Sequence, residues 1–173
     1  MWKVSLVGHS QLPNNLSVPN AEVRIHKAPG GRAENFFSNR RLNGVLQWKH
    51  DLCILWLGSN DIDNVKRPRY IANNILEVVQ SIEDNCQALV YICLVEPRFY
   101  ANGFMSEVEY RKVQRKINKI LKDQGNQTIH FNSKNWVEEL GTDGVHWNNE
   151  GRERVKSKLT KAIKNFMEDS DSE

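Results

Sequence analysis

A serine directly after an apolar run, in Gly8-His9-Ser10-Gln11-Leu12, and a carboxylate three residues ahead of an imidazole, in Asp143-Gly144-Val145-His146, are residue types suited to acyl transfer. A free serine hydroxyl is a poor nucleophile until a neighbouring base takes its proton. The His146 Nε2 atom suits that task, and the Asp143 carboxylate can accept the Nδ1 proton, fixing the tautomer and stabilising the imidazolium formed during attack. Each piece alone is weak. A serine after a strand is commonly a turn former or helix cap, and Asp-x-x-His reads equally as a hydrogen-bonded pair or half a metal site. The other histidines, His9, His26, His50 and His130, form no second ligand set. No metal and no other cofactor is therefore expected.

Two further loops could serve the same chemistry. In Leu57-Gly58-Ser59-Asn60-Asp61 the Asn60 amide is a donor suited to an oxyanion, and one such donor is worth about 3 kcal/mol in the transition state. In Ala28-Pro29-Gly30-Gly31-Arg32-Ala33 a bare backbone N–H of Gly30 or Gly31 can face an anionic oxygen, and spacing does not choose between them. Both also read as ordinary turns. The glycine pair lacks the endings of phosphate-binding loops. Asp61 and Asp63 lack the periodic ligands and closing Glu of a calcium loop. Arg98, Tyr100 and Trp147 are candidates to line a substrate pocket, with Arg98 favouring an anionic group. The plainer reading makes Arg98 structural and Trp147 a core anchor.

These loops need elements to position them. Short apolar runs at Trp2 to Val7, Glu22 to Ile25, Leu52 to Leu57, Leu89 to Val95 and Thr128 to Phe131 predict five strands, the third and fourth apolar on both faces. Between and after them, Ile71, Ile75, Val78, Val79 and Ile82 fall at helical spacing, as do Val113, Ile117, Ile120 and Leu121, and Val155, Leu159, Ala162, Ile163 and Phe166. A further helix is expected over roughly Ala33 to Leu46. Alternating strands and helices predict a three-layer α/β/α sandwich around a parallel, flavodoxin-like sheet. One domain over residues 1–167 is expected, with a disordered acidic tail over 168–173. In such a sheet ligands bind beyond the carboxyl ends of the strands, where all four loops lie.

Taken together, in this order and along nearly the whole chain, the four loops resemble the four sequence blocks of the SGNH, or GDSL-like, hydrolase superfamily. The resemblance implies a serine esterase: Ser10 as nucleophile, His146 as base, Asp143 as its partner, and an oxyanion hole from Gly30 or Gly31, Asn60 and the Ser10 N–H. It departs from the common pattern at His9, where aspartate is usual, and at Gln11, which intervenes before Leu12. His146 is preferred over His9 as base because no carboxylate is placed to orient His9. The Gly-His-Ser block and basic body also resemble esterase domains of LINE-type retrotransposon proteins. The glycine pair is similar to that of platelet-activating-factor acetylhydrolase catalytic subunits, which implies short acyl chains. The implied substrate is a small-molecule or lipid ester.

The net charge of +3 conceals a basic body, because the last six residues carry four acids and leave +7 on the first 167. That balance supports a different class of function: a non-catalytic module binding nucleic acid or an anionic membrane through Arg111, Lys112, Arg115, Lys116 and Lys119. Against it, Val113, Ile117 and Ile120 must face the sheet, which turns these cations outward without any partner. Cys53, Cys86 and Cys93 are odd in number and lack metal spacing, so neither a disulfide framework nor a zinc site is expected. With no apolar span and no secretion signal in the sequence, an intracellular, cytoplasmic location is expected.

Overall fold

Strands that are apolar on both faces need cover on both sides. The computed structural model, which describes residues 1–99, 105–131 and 136–173, supplies it. In chain order the elements are β1 (Trp2–Gly8), β2 (Ala21–Lys27), α1 (Arg40–Asn43), β3 (Leu52–Trp56), α2 (Pro68–Cys86), β4 (Leu89–Cys93), α3 (Glu107–Lys122), β5 (Thr128–Ile129), α4 (Trp136–Glu139) and α5 (Asn149–Asp171). All strand pairs are parallel, in the order β2-β1-β3-β4-β5. The chain leaves β1 towards one edge and returns to build the other, so the crevice between the ends of β1 and β3 is the topological switch point.

Alternation along the strands divides the core in two. Val7, Cys53, Leu55, Val90 and Ile92 pack with Ile71, Ile75, Val78 and Ile82 of α2 and with Ile117 and Leu121 of α3. Val4, Leu6, Leu52, Ile54 and Trp56 face the other way, onto Val155, Leu159, Ile163 and Phe166 of α5. The expected three layers are therefore present. Where β1 ends, a Cβ at Gly8 would lie 2.2 Å from the Trp56 carbonyl oxygen, so only glycine lets β1 approach β3 this closely just before Ser10. On α3, Lys112, Arg115, Lys116 and Lys119 are exposed opposite the buried stripe. They form the solvent-facing side of the helix.

Three expectations are corrected. The helix over 33–46 is a 3-10 turn at Ala33–Ser38, then α1, then a second 3-10 turn at Gly44–Gln47. Asn39 breaks it: its backbone is extended and its side chain accepts from the Arg41 N–H, starting a new helix where the old one would have continued. The tail is not disordered from residue 168, because α5 runs to Asp171. Phe166 and Met167 are buried just before it, and the Ser170 hydroxyl donates to the Phe166 carbonyl. Finally, β4 stops at Cys93 rather than Val95. There α3 takes over from the neighbouring strand, since Asn118 Oδ1 accepts from the Val95 N–H at 2.8 Å and Gln114 Nε2 donates to the Val95 carbonyl at 2.8 Å. No described helix is long and apolar enough to cross a membrane.

Candidate active site

The loops after β1 and before α5 meet at the end of the sheet. Ser10 Oγ lies 3.0 Å from His146 Nε2, and His146 Nδ1 lies 2.5 Å from Asp143 Oδ2. Asp143 Oδ1 accepts from the backbone N–H groups of Val145 and His146, both at 2.9 Å, so the carboxylate is held by the turn it belongs to. The His146 hydrogen bond and these two N–H donors keep the Asp143 carboxyl down at about 2. An ionised acceptor on Nδ1 leaves Nε2 as the basic nitrogen facing the serine. The loop is closed at its base by the Leu140 to Trp147 bridge and by the Gly141 N–H donating to the His146 carbonyl at 2.7 Å. Asn148 then caps α5, with Oδ1 accepting from the Gly151 N–H.

What holds Ser10 against His146 is a residue that looked like an intrusion in the sequence. Gln11, 6% exposed, donates from Nε2 to the Val145 carbonyl at 2.6 Å and accepts on Oε1 from the Trp147 N–H at 3.4 Å. One amide thus grips the backbone on both sides of His146. Nothing in the sequence marks Gln11 for this, because its partners are 134 and 136 residues away.

Asn60 sits in the loop after β3, where Gly58 turns the chain at a φ of 128°. Its Nδ2 donates to the Gly31 carbonyl at 3.1 Å, and its Oδ1 accepts from Arg98 at 3.1 Å. The adjacent Asp61 carboxylate accepts from the Ala33 and Glu34 N–H groups, tying this loop to the start of the first 3-10 turn. Asp61 is thus a cap, and burial raises its carboxyl above the usual range. Gly30 has a φ of 70°, and the Gly31 N–H closes the Pro29-Gly30 turn on the Ala28 carbonyl at 2.9 Å. Asn60 and the glycine pair are therefore together, joined through the Gly31 carbonyl.

Behind Asn60 lies a buried polar network. Arg98, 4% exposed, also donates to Ser59 Oγ at 2.7 Å and lies 3.8 Å from Glu96 Oε1. His9 is fully buried, with Nδ1 accepting from the Gln11 N–H and Nε2 3.2 Å from both Ser59 Oγ and Glu96 Oε1. Trp56 Nε1 donates to Glu96 Oε2 at 3.1 Å. Burial alone would raise the Glu96 carboxyl, but His9, Arg98 and Ser59 outweigh it and hold it at about 2. One expectation shifts accordingly: His9 has a carboxylate beside it, that of Glu96, inside the core. Arg98 lies behind Asn60, donating to it and to Ser59. Trp147, 2% exposed, is a core anchor beneath the loop. Tyr100 falls outside the described residues.

A hollow of about 390 Å³ opens beside Ser10 and His146, walled by Leu12, Lys27, Arg152 and Lys156 among others. Three of these residues are cations whose positions in the sequence give no sign of a shared site. Their convergence depends on the end of β2 lying beside α5, which residue spacing does not encode.

A parallel sheet in this order, with these loops at its carboxyl edge, is the fold of the SGNH carboxylic ester hydrolases. The chain belongs to the GDSL-like Lipase/Acylhydrolase family, whose model matches residues 7–154. The fold is similar to that of an aryl esterase from M. smegmatis, at a TM-score of 0.72 and 14% identity over 95% of this chain and 99% of that one. It is similar also to Est24, a carbohydrate acetylesterase from Sinorhizobium meliloti, at 0.71 and 13% over 96% and 100%. A carbohydrate esterase family 3 protein from Talaromyces cellulolyticus gives 0.70 and 16% over 98% and 99%. Among curated proteins, none matches this sequence.

Proposed function

We propose that the protein is a serine esterase cleaving short-chain carboxylic esters, with Ser10 as nucleophile, His146 as general base and then acid, and Asp143 as the orienting carboxylate. The observation that carries this reading is the unbroken line from Asp143 through His146 to Ser10 Oγ, each step at hydrogen-bond distance. His146 Nε2 takes the Ser10 proton as Oγ bonds to the ester carbonyl carbon. The resulting oxyanion is met by the Ser10 N–H, by Asn60 Nδ2 and by the Gly30-Gly31 turn. Collapse breaks the bond to the alcohol oxygen, which leaves with the proton from Nε2. Water, deprotonated by the same nitrogen, then releases the acid and restores the serine. The preference for short acyl groups is supported by the likeness of the fold to a carbohydrate acetylesterase.

Incubation with a fluorophosphonate should place one phosphonyl group on Ser10, read by mass spectrometry of the peptide. Labelling at another residue in a protein that hydrolyses esters would remove Ser10 from the role. Asn60→Ala should lower kcat by about 10²- to 10³-fold with little change in KM, because the donor acts on charge that appears only in the transition state. Unchanged kcat would take Asn60 out of the oxyanion hole.

A further inference from the structure

The hollow beside Ser10 carries a charge pattern that ester hydrolysis alone does not require. Lys27 reaches it from the end of β2, while Arg152 and Lys156, four residues apart and so on one face of the helix, reach it from α5. Among the described residues Glu153 is the only acid on the wall, which leaves an excess of two positive charges. Some cations elsewhere find partners: Arg24 pairs with Glu22, Lys66 with Glu34 and Arg154 with Glu139. Among the described residues no carboxylate lies within ion-pair distance of Lys27, Arg152 or Lys156. Lys27 Nζ is instead aimed by the neutral Asn14 Oδ1 at 2.8 Å. Burial and the nearby Arg152 push the Lys27 ammonium below its ordinary range, as cations held together without an anion must be. Arg152 also lies near the start of α5, the end where the helix dipole disfavours positive charge.

The position of the hollow says which part of a substrate it meets. His146 hands its proton to the departing alcohol, so that alcohol lies on the His146 side of the serine, away from the oxyanion donors. His146 lines the hollow, and none of Gly30, Gly31 and Asn60 does. We infer that this hollow binds a phosphate carried by the leaving alcohol, so that the preferred substrates are short-chain acyl esters of phosphorylated alcohols. The proposal rests on the esterase reading above. The reaction consumes one water, breaks only the acyl–oxygen bond, and releases the carboxylic acid and the alcohol with its phosphate intact. A phosphate dianion matches the excess charge of the wall.

The test compares kcat/KM for 1-acetylglycerol 3-phosphate and 1-acetylglycerol, whose reacting ester groups are alike. The phosphate ester should be favoured at least tenfold, with the preference shrinking as NaCl rises. In the double variant Arg152→Glu, Lys156→Glu the ratio should fall to near one, while Lys122→Glu, at the far end of α3, keeps it. Equal kcat/KM for both esters with Ser10-dependent turnover would overturn the phosphate proposal and leave the esterase standing. Hydrolysis of neither ester would count against the esterase reading. The hollow is then judged by calorimetry on Ser10→Ala: glycerol 3-phosphate should bind at least tenfold more tightly than glycerol, and equal binding overturns it. An arm with acetylglycerophosphocholine separates the sources. Preference for the monoester assigns a small phosphorylated alcohol, and preference for the diester assigns a lipid headgroup.

Discussion

Ser10→Ala is expected to lower the turnover of p-nitrophenyl acetate by up to about 10⁶-fold, with the fold unchanged. The size follows from the role: without Oγ there is no acyl-enzyme, and His146 and Asp143 have nothing to activate. Such residues act as a unit, so adding His146→Ala to Ser10→Ala should cost little more. Ser10 is only partly buried and its side chain packs no core position, so circular dichroism and the melting temperature should match the wild type. A variant that folds and retains most of its activity would mean that the nucleophile lies elsewhere.

Glu96→Gln is expected to be the most costly conservative change for stability, at about 3–5 kcal/mol at neutral pH. The amide preserves shape and can still accept from Trp56, but it leaves the buried Arg98 guanidinium without its carboxylate. The pH dependence separates this from a packing defect. Glu96 is held at about 2 in the folded protein, against about 4.5 for an ordinary glutamate. A depressed folded pKa contributes stability that is fully present above the unfolded value and is lost as pH falls through the folded one. Urea unfolding should therefore show the gap between wild type and variant narrowing from pH 5 down towards pH 2. A gap that stays constant over that range would show that the carboxylate charge is not what matters.

The sequence made Ser10, His146, Asp143 and Asn60 legible because their chemistry demands particular residue types and each falls in a loop at the same end of the sheet. Periodicity made the three long helices and both central strands legible for a similar reason: burial on one or both faces leaves a repeating mark. What stayed hidden were residues whose roles exist only through partners distant in sequence. Glu96, an acid before a proline, has no signature until His9 and Trp56 arrive from other segments. Lys27, Arg152 and Lys156 read as solvated charge until the edge strand lies beside α5. Element ends were missed where side chains replaced backbone partners, as Asn39 does in splitting the expected helix and Asn118 and Gln114 do in ending β4.

The Gln11 bridge to Val145 and Trp147 bears on how the catalyst comes into being. During synthesis residue 11 emerges early, and its two backbone partners emerge only after most of the chain. Until the loop over 143–147 is made and docks, a nascent chain holds Ser10 without His146 beside it and Gln11 without its two backbone partners. On the esterase reading proposed above, hydrolytic competence arrives as one late event, and a chain ending before Val145 is expected to be inactive.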